Sequence, residues 1–141
     1  MDNRSRAREL VIQALHQLDT QGSDALDGMD MFFKENCDSQ QVRDMADSWA
    51  RGAWENVELC DSLIQTAAIK WQMSRLCQVD RSILRLGAYQ LKFCPDIPAK
   101  VTINEAIELA KKYSSQQSPG FVNGVLDAIL KKTSQENPTQ Q

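Results

Sequence analysis

The sequence is poor in the residues that build active sites and β-strands. Its 141 residues include six glycines, four prolines and one histidine. The glycines are scattered and no G-x-x-x-x-G-K-[ST] segment occurs, which excludes a phosphate loop of that kind. The four cysteines, Cys37, Cys60, Cys77 and Cys94, lie 23, 17 and 17 positions apart, without the close pair typical of a zinc site. They are expected to be reduced, mostly buried thiols, with no metal and no cofactor. No apolar run approaches the length of a bilayer span, so no membrane helix is expected. No apolar signal region follows Met1–Arg8 either, and the expected location is cytoplasmic. No segment alternates apolar and polar residues with β-branched enrichment, which leaves no candidate strand.

Helical periodicity is what the sequence has instead. Ala7, Leu10, Val11, Ala14, Leu15 and Leu18 recur at steps of three and four, and Gly22-Ser23-Asp24 ends that stripe. A weaker segment follows over 25–34. From Val42 to Trp71 a long apolar stripe predicts one helix, or two broken near Asp61-Ser62. Asp80 is expected to cap a helix that buries Ile83, Leu84, Gly87, Ala88 and Leu91 and stops at Cys94-Pro95-Asp96-Ile97-Pro98. Thr102-Ile103-Asn104-Glu105 has the form of a capping box, with Glu108 and Lys112 paired one turn apart on the helix it opens. Ser118-Pro119 opens the last helix, which buries Val122, Val125, Leu126 and Ile129. The predicted fold is all-α, of about seven helices, in a single domain over 1–132. The polar segment 133–141 is expected to be disordered.

Charge is unevenly spread. The net charge is -3. Residues 19–61 carry eleven acidic and three basic side chains, whereas 62–141 carry ten basic and six acidic. That balance disfavours a strong stand-alone nucleic-acid binder but permits a local basic patch. Arg4, Arg6 and Arg8 sit at the first helical turn, where cations oppose the helix dipole and so do not serve the helix. A basic arm of this kind can contact phosphates or simply solvate the chain end. Arg81, Arg85 and Lys92 fall within about 40° of one another on a face expected to be exposed. Ile12 and His16 lie about 140° and 180° from the centre of the first buried stripe, an arrangement that would leave both exposed and suit a protein interface. Glu105 and Glu108 have structural explanations, and no nucleophile–base arrangement supports catalysis.

Four segments carry a resemblance: 6–15 (RARELVIQAL), 79–91 (VDRSILRLGAYQL), 103–111 (INEAIELAK) and 121–127 (FVNGVLD). Their order and spacing are similar to those of the NusB family of transcription antitermination factors. The resemblance implies two three-helix bundles packed across each other, divided here at about residue 60. It also implies a non-catalytic protein that binds boxA single-stranded RNA of ribosomal-operon transcripts. Such proteins act with NusE, a small-subunit ribosomal protein, on the RNA polymerase elongation complex. Carried over by position, Arg6, Arg8, Phe121, Asn123 and Asp127 would face RNA, and His16 and Asp80 would face NusE. The residue-level reading adds Arg4 and Arg85 to the RNA side and Ile12 to the partner side. This chain departs from the family pattern where Ser5 and Ala7 interrupt the arginine run, where His16 replaces the usual tyrosine, and where Gln90 replaces a common glutamate. A homodimer stays open. So do two other readings: an all-α protein-interaction scaffold, and a stand-alone relative of the RNA-binding domain of RNA cytosine methyltransferases.

Overall fold

A computed structural model describes residues 2–136. Its seven α-helices are α1 (Asn3–Gln21), α2 (Met29–Asn36), α3 (Gln40–Glu55), α4 (Val57–Ala67), α5 (Gln78–Phe93), α6 (Ala99–Tyr113) and α7 (Ser118–Glu136). Short 3-10 segments cover Gly22–Gly28 and Met73–Arg75, and no strand occurs among the described residues. Asp2 caps α1 by accepting from the Ser5 N–H at 2.7 Å, and Ser39 caps α3 through Val42. Gly22, at φ 76°, ends α1 in a left-handed conformation that suits glycine, and its N–H returns to the Leu18 carbonyl.

Helices α1–α3 pack together, and α5–α7 form a second bundle with α4 laid against α5 and α7. Helix α5 packs on α1 and α3 as well, so it joins the two halves. Two close approaches set the crossings. A Cβ on Gly52 of α3 would clash with the Tyr89 hydroxyl of α5, and one on Gly87 would lie 2.8 Å from Leu126 of α7. The predicted stripes of α1 and α7 are buried throughout.

Four local expectations are corrected. The long helix breaks at Asn56, not at Asp61-Ser62. The Asn56 N–H and side-chain amide both turn back to the Gly52 carbonyl, and a short amide that competes for backbone partners interrupts a helix. Asp80 lies inside α5, whose first residue follows Cys77. Helix α6 starts after Pro98, so Thr102 sits in its second turn and is no cap; Glu105 accepts from Ser5 instead, and Glu108 pairs with Lys111 while Lys112 reaches Glu9. Thr133–Glu136 extend α7, contrary to the expected disordered tail. No proline or glycine intervenes before Pro138, and the Thr133 hydroxyl bonds the Ile129 carbonyl. The remainder of that tail, 137–141, lies outside the described residues.

Arg8 is 2% exposed. Its guanidinium lies 5.3 Å from the Trp49 ring centroid, and its Nε donates to Gln90 Oε1 at 3.3 Å. Arg8 Nη2 and Gln90 Nε2 are both buried donors with no acceptor among the described residues, an arrangement that normally costs free energy. Burial pushes the Arg8 pKa down. Gln90→Glu would replace an orphaned donor with an acceptor facing a buried cation. Its expected effect is a gain of about 1.5–3 kcal/mol, the usual worth of a hydrogen bond to a charged group, read as a higher midpoint in thermal and urea unfolding. A lower midpoint would mean that desolvating the new carboxylate outweighs the pairing.

Candidate nucleic-acid and partner interface

The start of α1 exposes fewer cations than its sequence suggests. Arg4 is exposed and its side chain has no hydrogen bond or ion pair among the described residues. Arg6 is half-buried: Nη2 donates to the Asn36 carbonyl at 2.8 Å and Nη1 pairs with Glu9 at 3.3 Å. Arg8 points inward, so its expected RNA contact is corrected to a core role. Residues 7–12 of α1 are all buried, because α3 and α5 cover this helix and α6 reaches it through Glu9. A helix covered on several sides has no single apolar stripe from which to count angles. The same fact corrects Ile12, which is buried and not exposed.

Glu9 is the hub below the arginines. It accepts from Lys112 Nζ at 2.6 Å and from the Tyr113 hydroxyl, and it pairs with Arg6. Burial alone would raise its carboxyl pKa, but the bonds from Lys112, Tyr113 and Arg6 outweigh that and hold it below the usual range. Ile12 lies on the neighbouring groove of about 460 Å³, with His16, Gln13, Phe32, Val79 and Tyr113 among its walls. His16 is exposed at its edge. Asn36, which Arg6 holds by its carbonyl, lines the same groove.

Arg85 is buried, not on the exposed face expected of it. Its Nε and Nη2 donate to the two Asp61 oxygens at 2.8 Å each, and Nη1 donates to Asp19 at 3.0 Å. Arg81 donates twice to the other Asp19 oxygen, at 2.9 and 2.7 Å, and once to the Met73 carbonyl. This network ties α1, α4 and α5 to the 3-10 turn. Burial would lower the Arg85 pKa, yet the Asp61 and Asp19 bonds leave it raised. Of the three cations placed on one exposed face, Lys92 alone is exposed.

Asp80 is corrected too. It is buried, accepting from the Ser114 hydroxyl at 2.6 Å and the Ser118 hydroxyl at 2.9 Å. It does not line the His16 groove; it fixes the turn between α6 and α7, and with it the first turn of α7. On α7 Phe121 is half-buried, Asn123 is exposed, and Asp127 pairs with Lys131 at 3.1 Å. Phe121 meets Trp71 edge to face, ring centroids 5.7 Å apart. Trp71 was expected as the last residue of a buried stripe, but α4 ends at Ala67 and the ring stands 55% exposed. Arg6 therefore adjoins the His16 groove through Asn36, and Glu9 and Tyr113 connect it to the end of α6.

No helix among the described residues is long and apolar enough to cross a membrane. The NusB family profile matches residues 5–131. The Trichlorobacter lovleyi transcription antitermination protein NusB is 44% identical over 133 residues, covering 92% of this chain and 91% of that protein. Among solved structures, T. maritima NusB superposes with a TM-score of 0.80 at 38% identity, covering 94% of this chain and 92% of that one. A crystal structure of the antitermination factors NusB and NusE in complex with dsRNA matches with a TM-score of 0.84 at 28% identity, over 94% of this chain and 98% of that one. A family match over nearly the whole length, joined to the same helical architecture, has one meaning: the chain belongs to the NusB family.

Proposed function

We propose that this chain is a non-catalytic transcription antitermination factor that works in the cytoplasm. With NusE it binds single-stranded boxA RNA of ribosomal-operon transcripts and promotes processive elongation by RNA polymerase. The observation that carries this reading is the full-length likeness to the NusB of a complex containing NusE and RNA. The charge distribution supports the need for a partner. The fold buries Arg8 and Arg85 and largely covers Arg81, each held by a side-chain partner, and pairs Arg6 with Glu9, which leaves an acidic protein with Arg4 free at the α1 start. Phosphate binding is mainly electrostatic, so a basic partner would supply what this surface lacks. The His16 groove is the proposed seat of NusE. Arg4, Arg6, Phe121, Asn123 and Asp127 are the proposed RNA contacts, Asp127 by hydrogen bonding and not by charge.

Fluorescence anisotropy with labelled single-stranded boxA RNA tests this, using the protein alone and mixed with NusE. The mixture should bind more tightly and show the steeper dependence on salt, since each phosphate neutralised on a single strand adds about 0.7 to the slope. Equal affinity with and without NusE would overturn the cooperative reading. No RNA binding by either would favour the protein-interaction scaffold.

A further inference from the structure

We propose that the Trp71–Phe121 edge is a stacking subsite for one unpaired base of the bound RNA, with Lys70 and Arg75 holding the phosphates beside it. The proposal rests on the RNA-binding reading above and extends it to three residues, Lys70, Trp71 and Arg75, that lie outside the matched motifs of the sequence.

Trp71 stands between two shallow recesses. One, of about 300 Å³, is lined by Ile69, Lys70, Gly120, Phe121 and Gly124. The other, of about 310 Å³, is lined by Arg75, Leu76, Gln117, Ser118 and Phe121. Either has room for a planar base laid against the indole. Phe121 abuts Trp71 at an interplanar angle of 69°, which fixes the indole and leaves much of it in water. Ile69 is 80% exposed beside it. A large ring braced at one edge and open over the rest adds little to a core, but it is a ready surface for a base.

Charge chooses the occupant. The side chains of Lys70 and Arg75 are exposed and have no hydrogen bond or ion pair among the described residues. Elsewhere on α1, α5 and α6, Arg6, Arg81, Arg85, Lys111 and Lys112 are paired, whereas Arg4, Lys92 and Lys100 are exposed without a partner among the described residues but have no exposed tryptophan shown beside them. Asp80 is the one acid lining these two recesses, and it is buried and bonded to Ser114 and Ser118. Free cations flanking an exposed aromatic, with no free carboxylate, are the arrangement by which proteins hold single-stranded nucleic acid.

The test uses the complex with NusE and single-stranded boxA RNA. Trp71→Ala should weaken RNA binding roughly tenfold or more, and Trp71→Phe should restore much of it, because stacking tolerates a change of ring. Lys70→Ala with Arg75→Ala should lower the salt slope by about 0.7 for each cation removed. RNA should quench tryptophan emission of the unsubstituted protein, and Trp71→Phe should remove most of that quenching. RNA with a single abasic position should make the Trp71→Ala effect disappear at one position along the strand. Unchanged helicity and melting temperature of each variant exclude a folding effect, and the quenching readout needs no truncation at all. If the unsubstituted complex binds boxA RNA and Trp71→Ala binds it equally well, the stacking site is wrong and the RNA-binding reading stands. If the unsubstituted complex binds no RNA, both fail. If Trp71→Ala weakens NusE binding and leaves RNA binding intact, the edge is a protein contact and the proposal is overturned.

Discussion

Arg85→Ala should destabilise the fold by about 3 kcal/mol or more, the range for breaking a buried pair by removing one partner. The side chains of Arg85 and Asp19 are 10% and 13% exposed, so solvent screens this network little. Arg85 makes three hydrogen bonds to two carboxylates, one on α1 and one on α4. Its loss leaves Asp61 without its bidentate partner, while Asp19 keeps Arg81. For a chain of this length that stability loss corresponds to a fall in melting temperature of about 10 °C. The acid limb should change as well. Burial would raise the Asp19 pKa, but the bonds from Arg81 and Arg85 more than offset it and leave the carboxyl lowered. A carboxyl depressed in the folded state stabilises the protein above its unfolded pKa, ordinarily about 3.9. That contribution is lost as pH falls from there through the folded value. The parent protein should therefore lose stability steeply below about pH 4, and Arg85→Ala should show a shallower acid loss from a lower starting point. Urea unfolding followed by circular dichroism between pH 7 and pH 3 measures both. A difference under about 1 kcal/mol at pH 7 would mean that the network is not a clasp between the halves.

The same arginine shows where sequence reading stops. Spacing along one helix located the buried stripes, because Leu10, Leu84 and Leu126 repeat with the helical period whatever packs against them. It could not show that Arg85 turns toward Asp19, 66 positions away, and Asp61, 24 positions away. A charged residue flanking a buried stripe has the same pattern whether it meets water or a carboxylate from another helix. Arg8 and Ile12 failed for a related reason. The angular argument assumes one covered face, and α1 is covered on several. Asp80 was legible as a helix-terminal acid, but its partners Ser114 and Ser118 belong to a turn that forms only when α6 and α7 pack. Trp71 was hidden because the apolar stripe continues past the true end of α4. The helix break at Asn56 did leave a signal, an Asn four residues after a Gly, but too common a one to outweigh the stripe running through it. The groove at His16 was half legible: His16 stands where its angle put it, whereas Phe32, Val79 and Tyr113 come from three other elements.

These corrections decide which variants can separate the RNA and NusE surfaces. Arg8→Ala would remove the cation from the Trp49 face and leave a cavity in the core, so its effect on RNA would report stability. Ile12→Asp would bury a charge and should unfold the protein. Arg4 and His16 are the clean probes, both being exposed. Arg6 is less clean, because its bond to the Asn36 carbonyl supports the groove wall. Arg4→Ala should leave NusE affinity unchanged and lower the salt slope of RNA binding by about 0.7. Adding Arg6→Ala should deepen the RNA loss and cost a small part of NusE binding through Asn36. His16→Asp with Gln13→Asp places two acids at the edge of the groove. Leaving a charge desolvated and unpaired in an interface costs about 2–5 kcal/mol, so NusE affinity should fall roughly thirtyfold or more. RNA binding by the isolated protein should change little, since neither residue lies among the proposed RNA contacts. Calorimetry with NusE and anisotropy with boxA RNA, on variants of unchanged melting temperature, give the two affinities separately. Parallel loss of both by both sets of variants would show that RNA and NusE share one surface, and the two-surface assignment would have to be abandoned.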